Sequence, residues 1–131
     1  MDIVFDFDGV LCEYEGWRGH DKIGKPIPEW VDAVKRWSGW GHKIKLHTTR
    51  LNPFPFGDDK IDEEVVSLMA KRSIINWLSD AGILDCFTII SEYKPYGDFY
   101  IDDRNPGFNE WNPERIEEHY KLRDNFSEKL K

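Results

Sequence analysis

Thiols are scarce in this chain: Cys12 and Cys86 are its two cysteines, they stand far apart, and neither belongs to a C-x-x-C pair. Neither a disulfide framework nor a thiolate zinc site is expected from them. The four histidines, His20, His42, His47 and His119, are equally scattered and lack metal-motif spacing. No apolar run approaches the ~18 residues of a membrane span. The chain opens directly on a strand-like segment rather than a basic, apolar leader, so a cytoplasmic location without a membrane partner is expected. Excess basic charge is missing too. A formal charge of −7 and a pI near 5.1 disfavour a broad nucleic-acid or anionic-membrane surface.

What is present is enough for one folded unit. At 131 residues, 40% hydrophobic and 15% aromatic, the chain fits a single domain over residues 1–131, with its core in 1–105 and a closing helix at about 112–127. Residues 2–7 read as a first strand, and 9–25, rich in Gly and charge, as irregular or hairpin structure. Ile27, Trp30, Val31, Val34 and Trp37 recur at helical spacing, with Pro28 near the start and Gly41 just past the end. A second strand is expected at 43–48, and a loop at 51–60 around Pro53, Pro55 and Gly57. Asp62 suits the N-cap of a long helix, with Ile61 stapled to Val66 and Gly82 at the far end. Strands near 86–90 and 98–102 follow, and Asn112-Pro113 opens a charged, solvent-facing last helix. This β-α-β-α-β-β order predicts an α/β fold, a mostly parallel sheet flanked by helices, with ligands at the carboxyl ends of the strands.

Chemistry-bearing residues fall at those ends. The first strand runs into Asp6-Phe7-Asp8-Gly9-Val10, two carboxylates two positions apart and then a turn glycine. Acids that close repel unless a metal or a positive side chain offsets them, which suits a metal-assisted nucleophile and acid/base pair. The plainer reading of this motif alone is a strand-end acid and a turn. The second strand ends in His47-Thr48-Thr49-Arg50, the third is followed by Glu92-Tyr93-Lys94-Pro95, and the fourth closes on Asp102-Asp103-Arg104.

Taken in order, Asp-x-Asp, Thr, Lys and Asp-Asp at four strand ends resemble the four signature motifs of the haloacid dehalogenase (HAD) superfamily of phosphohydrolases. The resemblance spans residues 2 to about 105 and implies a single Rossmann-like domain and a Mg²⁺-dependent phosphatase working through an aspartyl-phosphate. It implies that Asp6 is the nucleophile and that Asp8 protonates the leaving oxygen and later activates water. Asp8 would also lend its backbone carbonyl to the metal. Thr48, with Thr49 as the alternative, would hold a phosphoryl oxygen, and Lys94 would pair with the nucleophile and the phosphoryl charge. Asp6, Asp8, Asp102 and Asp103 would form the metal shell, with the direct ligand of the last two left open. Arg50 and Arg104 are candidates for a second phosphate or a carboxylate, or for structural ion pairs.

Other residues near the motifs have plainer readings. His47 alternates with Thr48 and is expected to point away from the site. Cys12 reads as a small buried residue, and Trp17 as a candidate to stack on substrate. The intervals between motifs leave no room for a cap domain, so a phosphorylated substrate would meet an open site, the flap at 16–25, or another subunit of a homo-oligomer. The short series D-x-D-G, K-I-G-K-P-I-P, H-T-T-R and I-D-D-R-N also resembles a group of small HAD hydrolases, with I-D-D-R-N in place of the commoner G-D-x-x-x-D. A response-regulator receiver is a poorer match, since there the lysine follows every acid and here Lys94 precedes Asp102. A catalytically idle phosphate-binding or adaptor module and a phosphotransferase remain as alternatives.

Overall fold

The continuous apolar run Ile3-Val4-Phe5 makes the first strand buried on both faces. In the computed structural model, which describes residues 1–51 and 63–124, β1 is Asp2–Asp6, with Ile3, Val4 and Phe5 buried. Ile3 and Phe5 share one face; Asp2, Val4 and Asp6 share the other. After a long irregular stretch come α1 (Pro28–Gly39), β2 (Lys43–His47), α2 (Glu63–Asp80), β3 (Phe87–Ser91), β4 (Phe99–Ile101) and α3 (Pro113–Tyr120). The four strands form one sheet in the order β3-β2-β1-β4, and every pairing is parallel.

Helix α1 begins with Pro28 at its first turn, where a missing N–H is harmless, and buries Trp30, Val31, Ala33, Val34 and Trp37. Phe5 meets Trp37 and Trp30 with ring centroids 5.6 and 6.3 Å apart. Helix α2 adds Ala70, Ile74 and Leu78 to the same core. It ends at Asp80, and the positive φ of 77° at Gly82 lets Ile83 N bond back to Leu78 O. The expected loop at 51–60, the Asp62 cap and the Ile61–Val66 staple lie outside what is described of the chain.

The last helix is interrupted where the sequence predicts a continuous one. Asn112 caps it as anticipated, its side chain accepting from Arg115 N at 2.8 Å. The helix breaks after Tyr120, where Lys121 takes a left-handed conformation (φ 53°), and residues 122–124 are helical again; the rest of the expected span lies outside what is described. The turn at Lys121 drives Leu122 fully into the core and offers its carbonyl to His42 Nε2 at 2.7 Å. Ile116 is also buried, and Glu117 Oε1 accepts from Trp37 Nε1 and Arg36. The segment thus packs one face toward α1 while its ionisable residues Glu114, Arg115, Glu118, His119, Lys121 and Arg123 stay exposed, as expected of a solvent-facing helix.

Strand order decides where a site can form. From β1 the chain builds outward through β2 to β3, then crosses back to place β4 on the other side of β1. Connections therefore diverge beyond the carboxyl ends of β1 and β4, which opens a crevice there. Asp6 ends β1, and Asp102-Asp103 follow β4 at once.

Candidate active site

Register brings the strand-end residues together. Asp6 pairs with His47 of β2, while Phe5 pairs with Ile101, so Asp102 emerges beside Asp6 on the far side. Among the described residues, Asp6, Asp102 and Asp103 form a group whose carboxylate oxygens lie within 4.8 Å of one another. They line a cavity of about 120 Å³ together with Asp8, His47, Thr49, Arg50 and Arg104, with Tyr14 and Trp17 at the flap side.

The turn between these acids depends on a glycine. Gly9 has φ +83°, and a Cβ there would stand 2.2 Å from Asp103 Oδ2. A hydrogen in place of a side chain lets the β4 loop press against the β1 turn, which is how Asp103 reaches Asp6. Arg104 N donates to Asp102 Oδ1 at 2.9 Å and orients that carboxylate.

Crowding shows in the protonation of Asp6. Burial, chiefly, and then the Asp102, Asp103 and Asp8 charges push its pKa from 3.8 to about 7, against one opposing hydrogen bond from Phe7 N. Asp103 is also pushed upward, by partial burial of its carboxyl and by Asp102. Asp8 stands apart from this trio. Arg50 grips it with two charged hydrogen bonds, Nε to Oδ2 at 2.7 Å and Nη2 to Oδ1 at 2.8 Å. The carboxylate of Asp8 is therefore outside the metal-capable group, and the shell expected from the sequence draws on its backbone carbonyl instead.

Other anticipated residues are only partly assembled. Thr48 is 1% exposed, and its hydroxyl accepts from Arg50 N at 3.2 Å, so Thr49 rather than Thr48 lines the cavity. Lys94 does not line it either: its ammonium rests 4.3 Å from the centre of the Tyr100 ring. The loop after β3 turns it toward β4, and sequence distance from the strand end gives no hint of that direction. Arg104 is in place at the rim.

His47 was expected to face away, yet it lines the cavity, with Nε2 3.2 Å from Glu92 O. Parallel pairing puts partners on one face, so the Asp6–His47 register turns His47 to the same side as the nucleophile candidate. Only knowledge of that register would have found it. Cys12 is fully buried, and burial followed by the nearby Asp8 pushes its thiol up to about 12, which leaves no reactive thiolate at neutral pH. Trp17 does stack, but on Arg50, whose guanidinium carbon lies 5.0 Å from its ring centre.

The fold has a solved counterpart. A conserved protein of Bacteroides thetaiotaomicron superposes with a TM-score of 0.57 at 21% identity, over 92% of this chain and 91% of that one. At that identity the match speaks for the fold alone. No protein-family model matches the chain, and no curated protein sequence matches it. Among the described residues, no helix is long and apolar enough to cross a membrane.

Proposed function

We propose that the protein is a Mg²⁺-dependent phosphomonoester hydrolase of the haloacid dehalogenase type, acting through an aspartyl-phosphate on Asp6. The observation that carries this reading is the convergence of Asp6, Asp102 and Asp103 at the crevice between β1 and β4. The donor set fits Mg²⁺: it is all carboxylate oxygen, and the mutual repulsion that raises Asp6 is what a cation would relieve. Asp6, Asp102 and Asp103 would hold the ion, which when bound supplies charge neutralisation for an anionic nucleophile meeting an anionic ester.

The chain's own groups would do the rest. An Asp6 oxygen attacks phosphorus, forming the acyl-phosphate bond as the ester oxygen leaves. Thr49 and Arg104, which line the cavity, would donate to phosphoryl oxygens. Asp8 would hand a proton to the leaving oxygen and later take one from the water that cleaves the aspartyl-phosphate. Because both Asp8 oxygens accept from Arg50, the proton that Asp8 transfers must sit on a lone pair that the fork leaves free. Lys94 would have to swing off Tyr100 to pair with Asp6.

Those two requirements favour one second reading, a phosphate- or cation-binding module without turnover. Hydrolysis of an aryl phosphate with Mg²⁺ and with excess EDTA separates the readings. Turnover that needs the cation is expected. Full turnover in EDTA would overturn the metal-assisted mechanism, and Mg²⁺ binding without hydrolysis of aryl or alkyl esters would select the binding module.

A further inference from the structure

Arg50 is an unusual residue to find buried. Its side chain is 3% exposed, and a guanidinium that far from water must have its charge and its donors matched. Asp8 takes the fork, while Gly19 O and Lys22 O accept from Nη1 and Nη2 at 3.4 and 3.2 Å. The cation also lies 5.0 Å from the Trp17 ring centre and 5.8 Å from that of Phe7. Gly19, Lys22 and Trp17 all belong to the flap at 16–25. The base of that flap is fastened separately, by Glu13 N to Lys25 O and Ile27 N to Leu11 O, and α2 touches the flap at Gly24 O, which accepts from Trp77 Nε1, and at His20, whose Nδ1 lies 3.2 Å from Ser73 Oγ. Arg50 is fastened in turn to the end of β2, its own N–H donating to Thr48 Oγ1.

We propose that Arg50 is a positioning residue that sets the Asp8 carboxylate and pins the flap through one side chain, so that acid and flap are held or released together. The sequence reading offered Arg50 as a substrate ligand. The structure turns its donors inward, onto the acid and the flap carbonyls. The catalytic half of this proposal rests on the hydrolase reading, whereas the pinning of the flap does not.

Two arms test it. Trypsin can cut the flap after Arg18 and Lys22, and Arg50→Lys keeps a charge but loses the planar fork and its reach to two carbonyls. Mass spectrometry should show cleavage at those two bonds rising at least about tenfold in the variant while thermal melting remains cooperative. Asp8→Asn leaves Arg50 in place and reaches the flap through it, so it repeats this arm if Arg50→Lys fails to fold. It should also hasten cleavage. Wild-type cleavage rates in the folded variants would overturn the pinning.

In the second arm, Arg50→Lys should lower kcat on an alkyl phosphate at least about tenfold more than on an aryl phosphate, with KM within about threefold, because it acts through the proton donor. A raised KM with kcat retained would make Arg50 a substrate ligand, and equal kcat losses on both esters would show that it does not act through Asp8. Either result overturns the positioning role. If wild-type protein hydrolyses no ester, the hydrolase reading fails on its own, and the trypsin arm still decides the tie between Arg50, Asp8 and flap.

Discussion

The two ends of one sheet treat their charges in opposite ways. At the amino end, Lys45 Nζ stands 3.2 Å from Asp2 Oδ2 and donates to Tyr96 O at 2.7 Å. Asp98 accepts from Asp2 N and from the Tyr96 hydroxyl, and the chain's N-terminus meets His42 Nδ1. At the carboxyl end, the buried guanidinium goes to Asp8, and Asp6, Asp102 and Asp103 are left facing one another. Carboxylates matched within the fold serve stability, whereas carboxylates that converge without such matching favour a cation from outside. The same strands thus carry a structural end and a chemical end.

The largest expected effect is at Asp6. Asp6→Asn is nearly isosteric but removes the proposed nucleophile, so on the hydrolase reading turnover should fall by about 10⁴-fold or more with the fold intact. Activity within tenfold of wild type would take Asp6 out of that role and erase the contrast between the two ends. Asp8→Asn comes next. Loss of general acid help is typically worth ~10²–10⁴-fold, and it should fall on alkyl phosphates, whose alkoxides need a proton, far more than on aryl phosphates. Equal losses on both would confine Asp8 to organising the site.

A third prediction concerns stability against pH. Asp6 titrates near 7 in the folded chain against 3.8 in its ordinary environment. The neutral form is favoured by folding, so its contribution is fully present below pH 3.8 and is lost as pH rises through about 7. At about 1.4 kcal/mol per unit, this is a few kcal/mol. Metal-free wild type should therefore lose stability relative to Asp6→Asn between pH 4 and pH 8, and Mg²⁺ should restore it at pH 8. Parallel melting curves for the two proteins across that range would show that the acids do not strain the fold.

The smallest effect sharpens the comparison from the other side. Lys45→Met removes the ammonium held by Asp2 and Tyr96 O, and should cost about 1–3 kcal/mol in denaturant unfolding. Turnover should stay within about twofold, since the substitution lies at the structural end. A tenfold fall in kcat would mean that the two ends are coupled.

Particular residues show how far the sequence could be read. The Asn112 cap, the Pro28 start and the Gly82 stop are local signals, each set by one residue's backbone preference, and all three hold in the structure. The end of α3 was not legible, because a left-handed Lys121 is stabilised by burying Leu122, a contact made far along the chain. Thr48 and Thr49 look alike in sequence, and only the turn into Thr49–Leu51 aims the second one at the cavity. The directions of His47 and Lys94 depended on strand register and on a loop path, neither of which has a local code.

What the sequence by itself determined was the alternation of strands and helices and the placing of acids at the ends of β1 and β4, since hydrophobic period and turn chemistry act over a few residues. Only the tertiary structure decided that β4 docks beside β1, that Gly9 lets Asp103 close on Asp6, and that Arg50 turns inward to Asp8. Those outcomes hang on pairing between segments tens of residues apart and on which charge is buried against which, and such energies exist only once the chain has folded.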